Sequence, residues 1–130
     1  MRTARVLTLA VLLLSLTAPA ADAADSISIE PVARYHLEGG LVIVELHVRC
    51  EGGNGAAFVE LQQFYPETYE PIAVSQGGNT VTCSGTVQEA AVNIVGGPFD
   101  PGKAFARASL VPGDPEVTMA TAERWIDIRV

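Results

Sequence analysis

Lysine is all but missing from this chain: Lys103 stands alone beside seven arginines, and against 15 acidic residues the net charge is -7. Proteins that hold nucleic acid or anionic lipid take their affinity from Lys and Arg on phosphate, so the scarcity excludes both as principal partners. Cysteine is nearly absent too. Cys50 and Cys83 are the two present, too far apart for a Cys-x-x-Cys redox pair and without the histidine cluster of a structural zinc site. Aromatic residues make up 6% of the chain and include one tryptophan, Trp125. No segment repeats apolar residues at the three-and-four spacing of an amphipathic helix. No apolar run after Leu16 approaches the roughly 20 residues of a membrane span.

Local catalytic motifs are also missing. None of Ser26, Ser28, Ser75, Ser84 or Ser109 lies in a G-x-S-x-G elbow, and a nucleophile needs an adjacent base with an orienting carboxylate. His36 reads as a turn residue and His47 as a residue on an outer strand face, both solvated. Acidic residues are plentiful, but no spacing singles out a pair for glycoside cleavage. The reading is a non-enzymatic protein with no catalytic residue and no cofactor. For metals, Glu45 and His47 share a strand face on which Glu60 from a neighbouring strand would be a third ligand, and two ligands are too few for zinc. Asp100, Asp114 and Glu116 offer oxygen to calcium from loops but fit no EF-hand spacing. No metal is assigned.

What is present begins with a leader. Met1 to Arg5 carries two positive charges, Val6 to Leu16 is apolar, and Ala21-Asp22-Ala23 supplies small residues where a signal peptidase reads, with Ala18-Pro19-Ala20 a second acceptable site. The expectation is a signal peptide over 1–23, a single domain over 24–130 and a secreted protein. Loss of Arg2, Arg5 and Asp22 leaves six basic and fourteen acidic side chains, a charge of -8. In an exported chain the two cysteines are read as one disulfide, Cys50 to Cys83. Such a bridge stabilises by about 3 to 4 kcal/mol on a chain-entropy account.

The rest alternates apolar and polar residues in short runs rich in Val, Ile and Thr, cut by Gly and Pro, which is the pattern of strands. Ser26 to Arg34 places Ile27 and Ile29 on one face, and His36 to Gly40 is a turn. Leu41 to Cys50 turns Val42, Val44, Leu46, Val48 and Cys50 inward. Glu51 to Gly55 ends that strand, and the next buries Ala57, Val59 and Leu61 while Phe58, Glu60, Gln62 and Phe64 face away. A loop, Tyr65 to Pro71, precedes a short edge segment Ile72 to Ser75 and a turn at Gln76 to Asn79. Val81 and Cys83 share a face; Ala90, Val92 and Ile94 are the buried set of Thr86 to Val95, and Ala104, Ala106, Ala108 and Leu110 that of Lys103 to Val111. A last strand, Met119 to Val130, buries Ala122, Ile126, Ile128 and Val130, with a bulge near Arg124 to relieve its inward phase.

Seven or eight strands, one bridge and no helix predict an all-β fold, an antiparallel immunoglobulin-like β-sandwich, although the only Trp lies after both cysteines rather than between them. Val48-Arg49-Cys50, Cys83-Ser84-Gly85 and Phe99-Asp100-Pro101-Gly102-Lys103-Ala104, with the leader, resemble an uncharacterised family of short secreted actinobacterial proteins with small sandwich domains. That resemblance implies fold and export and transfers no site residue. A looser similarity to the enediyne-binding apoproteins, which carry two disulfides, implies a chromophore-type cleft. The aromatics placed outside the core, Phe58, Phe64, Tyr65, Tyr69 and Trp125, are the expected binding surface. They suit an extracellular protein, a glycan or a small apolar ligand, in the cell envelope or beyond it. The alternative is a carrier holding a small hydrophobic molecule in a sandwich cleft.

Overall fold

The structure is a computed structural model that describes residues 25–36, 38, 40–112 and 120–130. The expected leader over 1–23 lies outside the described residues, as do Leu37 and Gly39 of the predicted turn, Asp114 and Glu116 of the calcium reading, and Met119. Eight strands and no helix occur among the described residues: β1 (Ser26–Ile29), β2 (Val32–His36), β3 (Leu41–Arg49), β4 (Glu51–Phe64), β5 (Pro71–Ser84), β6 (Gln88–Ile94), β7 (Gly102–Pro112) and β8 (Ala120–Arg129).

β3 is flanked by β6 on one side and by β1 and then β2 on the other. A second layer runs β5-β4-β7-β8. This is an immunoglobulin-like sandwich. One pair departs from the antiparallel expectation: Val32 to Arg34 runs parallel to Asp127 to Arg129. β2 therefore joins both layers, hydrogen-bonding β3 with its second half and β8 with its first.

Alternation decides what faces the interior. Val42, Val44, Leu46 and Val48 of β3 and Val92 and Ile94 of β6 are wholly buried, opposite Ala57, Val59 and Leu61 of β4 and Ala104, Ala106 and Ala108 of β7. Large aliphatics on one layer meet alanines on the other, which lets the layers close to interior density. Phe99, from the loop before β7, adds the largest fully buried ring.

Two segments read as turns are strand. Glu51 to Gly55 opens β4 rather than ending the strand before it, because the chain changes layer at Cys50 within a single residue. The ladder slips between Glu51 and Gly53, where Gly52 and Gly53 take φ of 76° and 93°, open only to glycine at little cost. Gln76 to Asn79 likewise lies within β5, paired residue by residue with β4. Gly77 and Gly78 are there for space, not for a turn. β3 with β4, and β6 with β5, thus form one bent two-stranded ribbon that passes from layer to layer. The disulfide Cys50–Cys83, Cα atoms 4.6 Å apart, sits at the bend, where Gly85 N also donates to Cys50 O at 2.8 Å.

β8 needs no bulge. Its register with β7 is unbroken from Ala120 to Ile128, and Arg124 resolves its inward phase by reaching sideways to donate to Ile29 O of β1 at 3.0 Å. Val130, expected inside, is exposed at the end of the chain beyond the last β7–β8 pair, and Ala122 is half-buried against the margin of the core. His36 ends β2 rather than lying in a turn. The margin between β5 and β6 is tied by side chains: Ser75 Oγ donates to Val95 O at 2.6 Å and Asn79 Nδ2 to Ala91 O at 2.9 Å, while Gln88 Nε2 donates to Thr82 O.

Candidate functional site

On the outer face of the β5-β4-β7-β8 layer, register dictates the neighbours. Leu61 opposite Ala106 and Val59 opposite Ala108 point inward, so Gln62 with Phe105 and Glu60 with Arg107 point outward. Phe105 in turn stands opposite Trp125, and Arg107 opposite Glu123. Three rings meet there. Trp125 lies 6.2 Å from Phe64, edge-on at 63°, and 5.2 Å from Phe105, tilted at 59°, separations at which aromatic pairs attract beyond simple area burial. Trp125 nevertheless remains 50% exposed.

The loop after β4 extends this cluster. Tyr65 N donates to Glu70 O and Tyr69 N to Tyr65 O, both at 2.9 Å, which folds Tyr65 to Glu70 into a compact turn. Tyr69 takes φ of 59°, a left-handed conformation that costs a residue with a Cβ about 1–2 kcal/mol. Its ring is 71% exposed. With Phe64, Tyr65, Pro66, Lys103 and Trp125 it lines an open depression of about 410 Å³. Behind the ring cluster, Gln63 is the one buried polar side chain among the described residues. Its Nε2 donates to Asp100 O at 2.8 Å and Lys103 O at 3.2 Å, and its Oε1 accepts from Asp100 N at 2.9 Å. That clamp fixes the start of β7, and Lys103 with it, against the rim of the depression.

Away from the rings the face becomes polar. Gln62 Nε2 donates to Glu60 Oε1 at 3.1 Å, and Arg107 Nε donates to Glu123 Oε2 at 3.0 Å while its guanidinium lies 5.8 Å over the Phe105 ring. A second depression of about 270 Å³ joins rings and polar pairs through Phe105 and Arg107. A third, about 410 Å³, continues along β4 to Phe58.

Of the aromatics picked out by alternation, Phe64, Tyr65, Tyr69 and Trp125 come together. Phe58 does not join them. It is six residues along β4 from Phe64, about 20 Å at strand rise, and covers Gly78. Sequence reasoning missed Phe105, Lys103, Arg107 and Gln62 as neighbours of Trp125. The inward alanines of β7 already turned Phe105 and Arg107 outward, but only strand pairing brings them to β8 and β4.

Glu60, the third ligand weighed beside Glu45 and His47, belongs to the opposite layer. His47 instead lies between Glu30 at 3.0 Å from Nδ1 and Glu89 at 3.6 Å from Nε2, and Glu45 faces Arg34 at 3.6 Å. Asp100 is exposed at the loop before β7. No helix among the described residues is long and apolar enough to cross a membrane.

No family model matches the chain, and no curated protein matches it. Among solved structures it is similar to a bacterial adhesin from Mobiluncus mulieris that contains intramolecular disulfide, isopeptide and ester cross-links. The TM-score is 0.51 at 7% identity over 82% of this chain, which spans 58% of the adhesin chain. A CARDB domain from Pyrococcus furiosus aligns at TM-score 0.40 and 11% identity, covering 82% of this chain and 86% of that one. At such identity the adhesin likeness establishes the immunoglobulin-like fold alone.

Proposed function

We propose that this is an exported, non-enzymatic binding module that works outside the cell or at its envelope, through the outer face of the β5-β4-β7-β8 layer. The observation that carries the reading is Trp125, packed against Phe64 and Phe105 yet half-exposed on a sheet face, with Tyr65 and Tyr69 lining the same depression. The core is complete without these rings, so their clustering is not demanded by folding. Contiguous aromatic surface with a polar rim is the usual form of a recognition site. Export is supported by the leader and by the bridge at the ribbon bend, which suits an oxidising compartment. The carrier alternative places cargo between the layers, where Val42, Val44, Leu61 and Ile94 leave no exposed surface.

Trp125 is the only tryptophan, so its emission reports this face and nothing else. Iodide quenching of the folded protein, with and without envelope polysaccharide and secreted protein from the native culture, tests the reading. The expected result is a blue-shifted emission and protection from iodide by one fraction, abolished by bulk removal at Tyr65 and Tyr69. Equal iodide access in the presence of every fraction overturns it.

A further inference from the structure

We propose that the depression at the Trp125 end takes a uronate residue of an acidic glycan, its sugar ring against the indole and its carboxylate on Lys103 Nζ. This deepens the binding reading above and rests on it. Among the described residues, Arg34, Arg49, Arg107 and Arg129 each face a carboxylate within 4 Å, and Arg124 is bound to Ile29 O. Lys103, the chain's sole lysine, has no ion-pair partner among the described residues, since Asp127, opposite it in the β7–β8 register, faces Arg129 at 3.6 Å. It is exposed, and it lines the same depression as Phe64, Tyr65, Tyr69 and Trp125.

An uncommitted ammonium beside aromatic rings selects for a ligand that is apolar on one face and anionic at its edge. The electron-rich face of an indole attracts the C–H face of a pyranose. A uronate carries its carboxylate on the stacking ring itself, so a single residue meets both groups. An apolar peptide or acyl chain would strip water from the ammonium with nothing in return. A phosphodiester lies between sugars, away from the ring that stacks. Beyond Trp125, the Gln62–Glu60 and Arg107–Glu123 pairs supply donors and acceptors for hydroxyls on the way to Phe58. At about 20 Å, that path suits several linked sugars rather than one. In a chain of net charge -7 the attraction is local to Lys103 while the rest of the surface repels a polyanion, so salt weakens the one and relieves the other and affinity changes little with ionic strength.

The test is a Trp125 fluorescence titration of the folded, oxidised protein with three probes: tetragalacturonate, its carboxyl-reduced neutral counterpart, and a glycerol-phosphate oligomer. Saturable binding of tetragalacturonate is expected, weakened about two- to fivefold by carboxyl reduction or by Lys103→Gln, the upper part of the range for a surface charge pair, and retained in Lys103→Arg. Equal binding of the reduced sugar, or Lys103→Gln binding like the parent, overturns the uronate assignment and leaves the aromatic platform standing. Preference for the phosphate oligomer does the same. No response to any probe overturns the assignment, and only if iodide protection by native fractions is also absent does the platform fall with it.

Discussion

Gly77 of β5 lies so close to β6 that a Cβ built on it would stand 2.3 Å from the carbonyl oxygen of Asn93. A backbone oxygen cannot swing away, so Gly77→Ala should force the β5–β6 margin apart and cost about 2–3 kcal/mol, as overpacking does. Gly78 is the control. Its Cβ would meet Phe58 Cδ1 at 2.7 Å, but that ring is 47% exposed and free to turn, so Gly78→Ala should cost under about 1 kcal/mol. Urea midpoints at unchanged slope measure both. Equal effects would show that the two glycines are not doing different jobs.

Cys50 and Cys83 bridge the ribbon where it changes layer, 33 residues apart in sequence. Replacing both with serine should lower stability by about 3–4 kcal/mol. At roughly 4–8 °C per kcal/mol for a domain of this size, the melting temperature should fall by on the order of 15 °C or more. Thermal unfolding followed by circular dichroism reads it, and a drop below about 5 °C would mean that the bend holds without its bridge.

Gln63 satisfies three backbone groups of the 100–103 segment at once. Gln63→Leu keeps the volume but strands them, at a cost of about 1–3 kcal/mol. Amide hydrogen exchange should speed at Asp100 ahead of the β4–β7 ladder. Uniform acceleration across the sheet would instead assign Gln63 a purely global role.

Tyr69 holds a left-handed backbone with its ring in solvent, an arrangement of little use to folding. Tyr69→Gly relieves strain worth about 1–2 kcal/mol and loses about 0.5–1 kcal/mol to the entropy of the unfolded chain. Its melting temperature should hold or rise by a few degrees while ligand-induced protection of Trp125 weakens. A clear loss of stability would show that the Tyr69 ring supports the loop rather than the ligand.

The inward faces of β1, β3, β4, β6 and β7 were legible because period-two alternation is unbroken there, and Cys50 with Cys83 could pair in only one way. The ribbon bend was not. Gly52, Gly53, Gly77 and Gly78 read as turns because glycine serves two ends, positive φ and close approach, and sequence alone does not separate them. The Arg124 phase looked like an error in need of a bulge, since the carbonyl it reaches, Ile29 O, lies 95 residues away in the chain. Phe99 was passed over because a loop residue carries no periodicity. At the candidate site, Phe64, Tyr65, Tyr69 and Trp125 were named from alternation and position, whereas Phe105 and Lys103 required the β4-β7-β8 pairing.

Both margins of the sandwich are engaged, one by the parallel β2–β8 pair and the Arg124 bond, the other by Ser75, Asn79 and Gln88. Those side-chain bonds occupy the carbonyls of Ile29, Thr82, Ala91 and Val95, which an added strand would otherwise use. On the binding reading proposed above, a few exchanges on the β4-β7-β8 face redirect specificity while leaving the scaffold intact, which makes the fold a durable frame on which recognition can be rewritten.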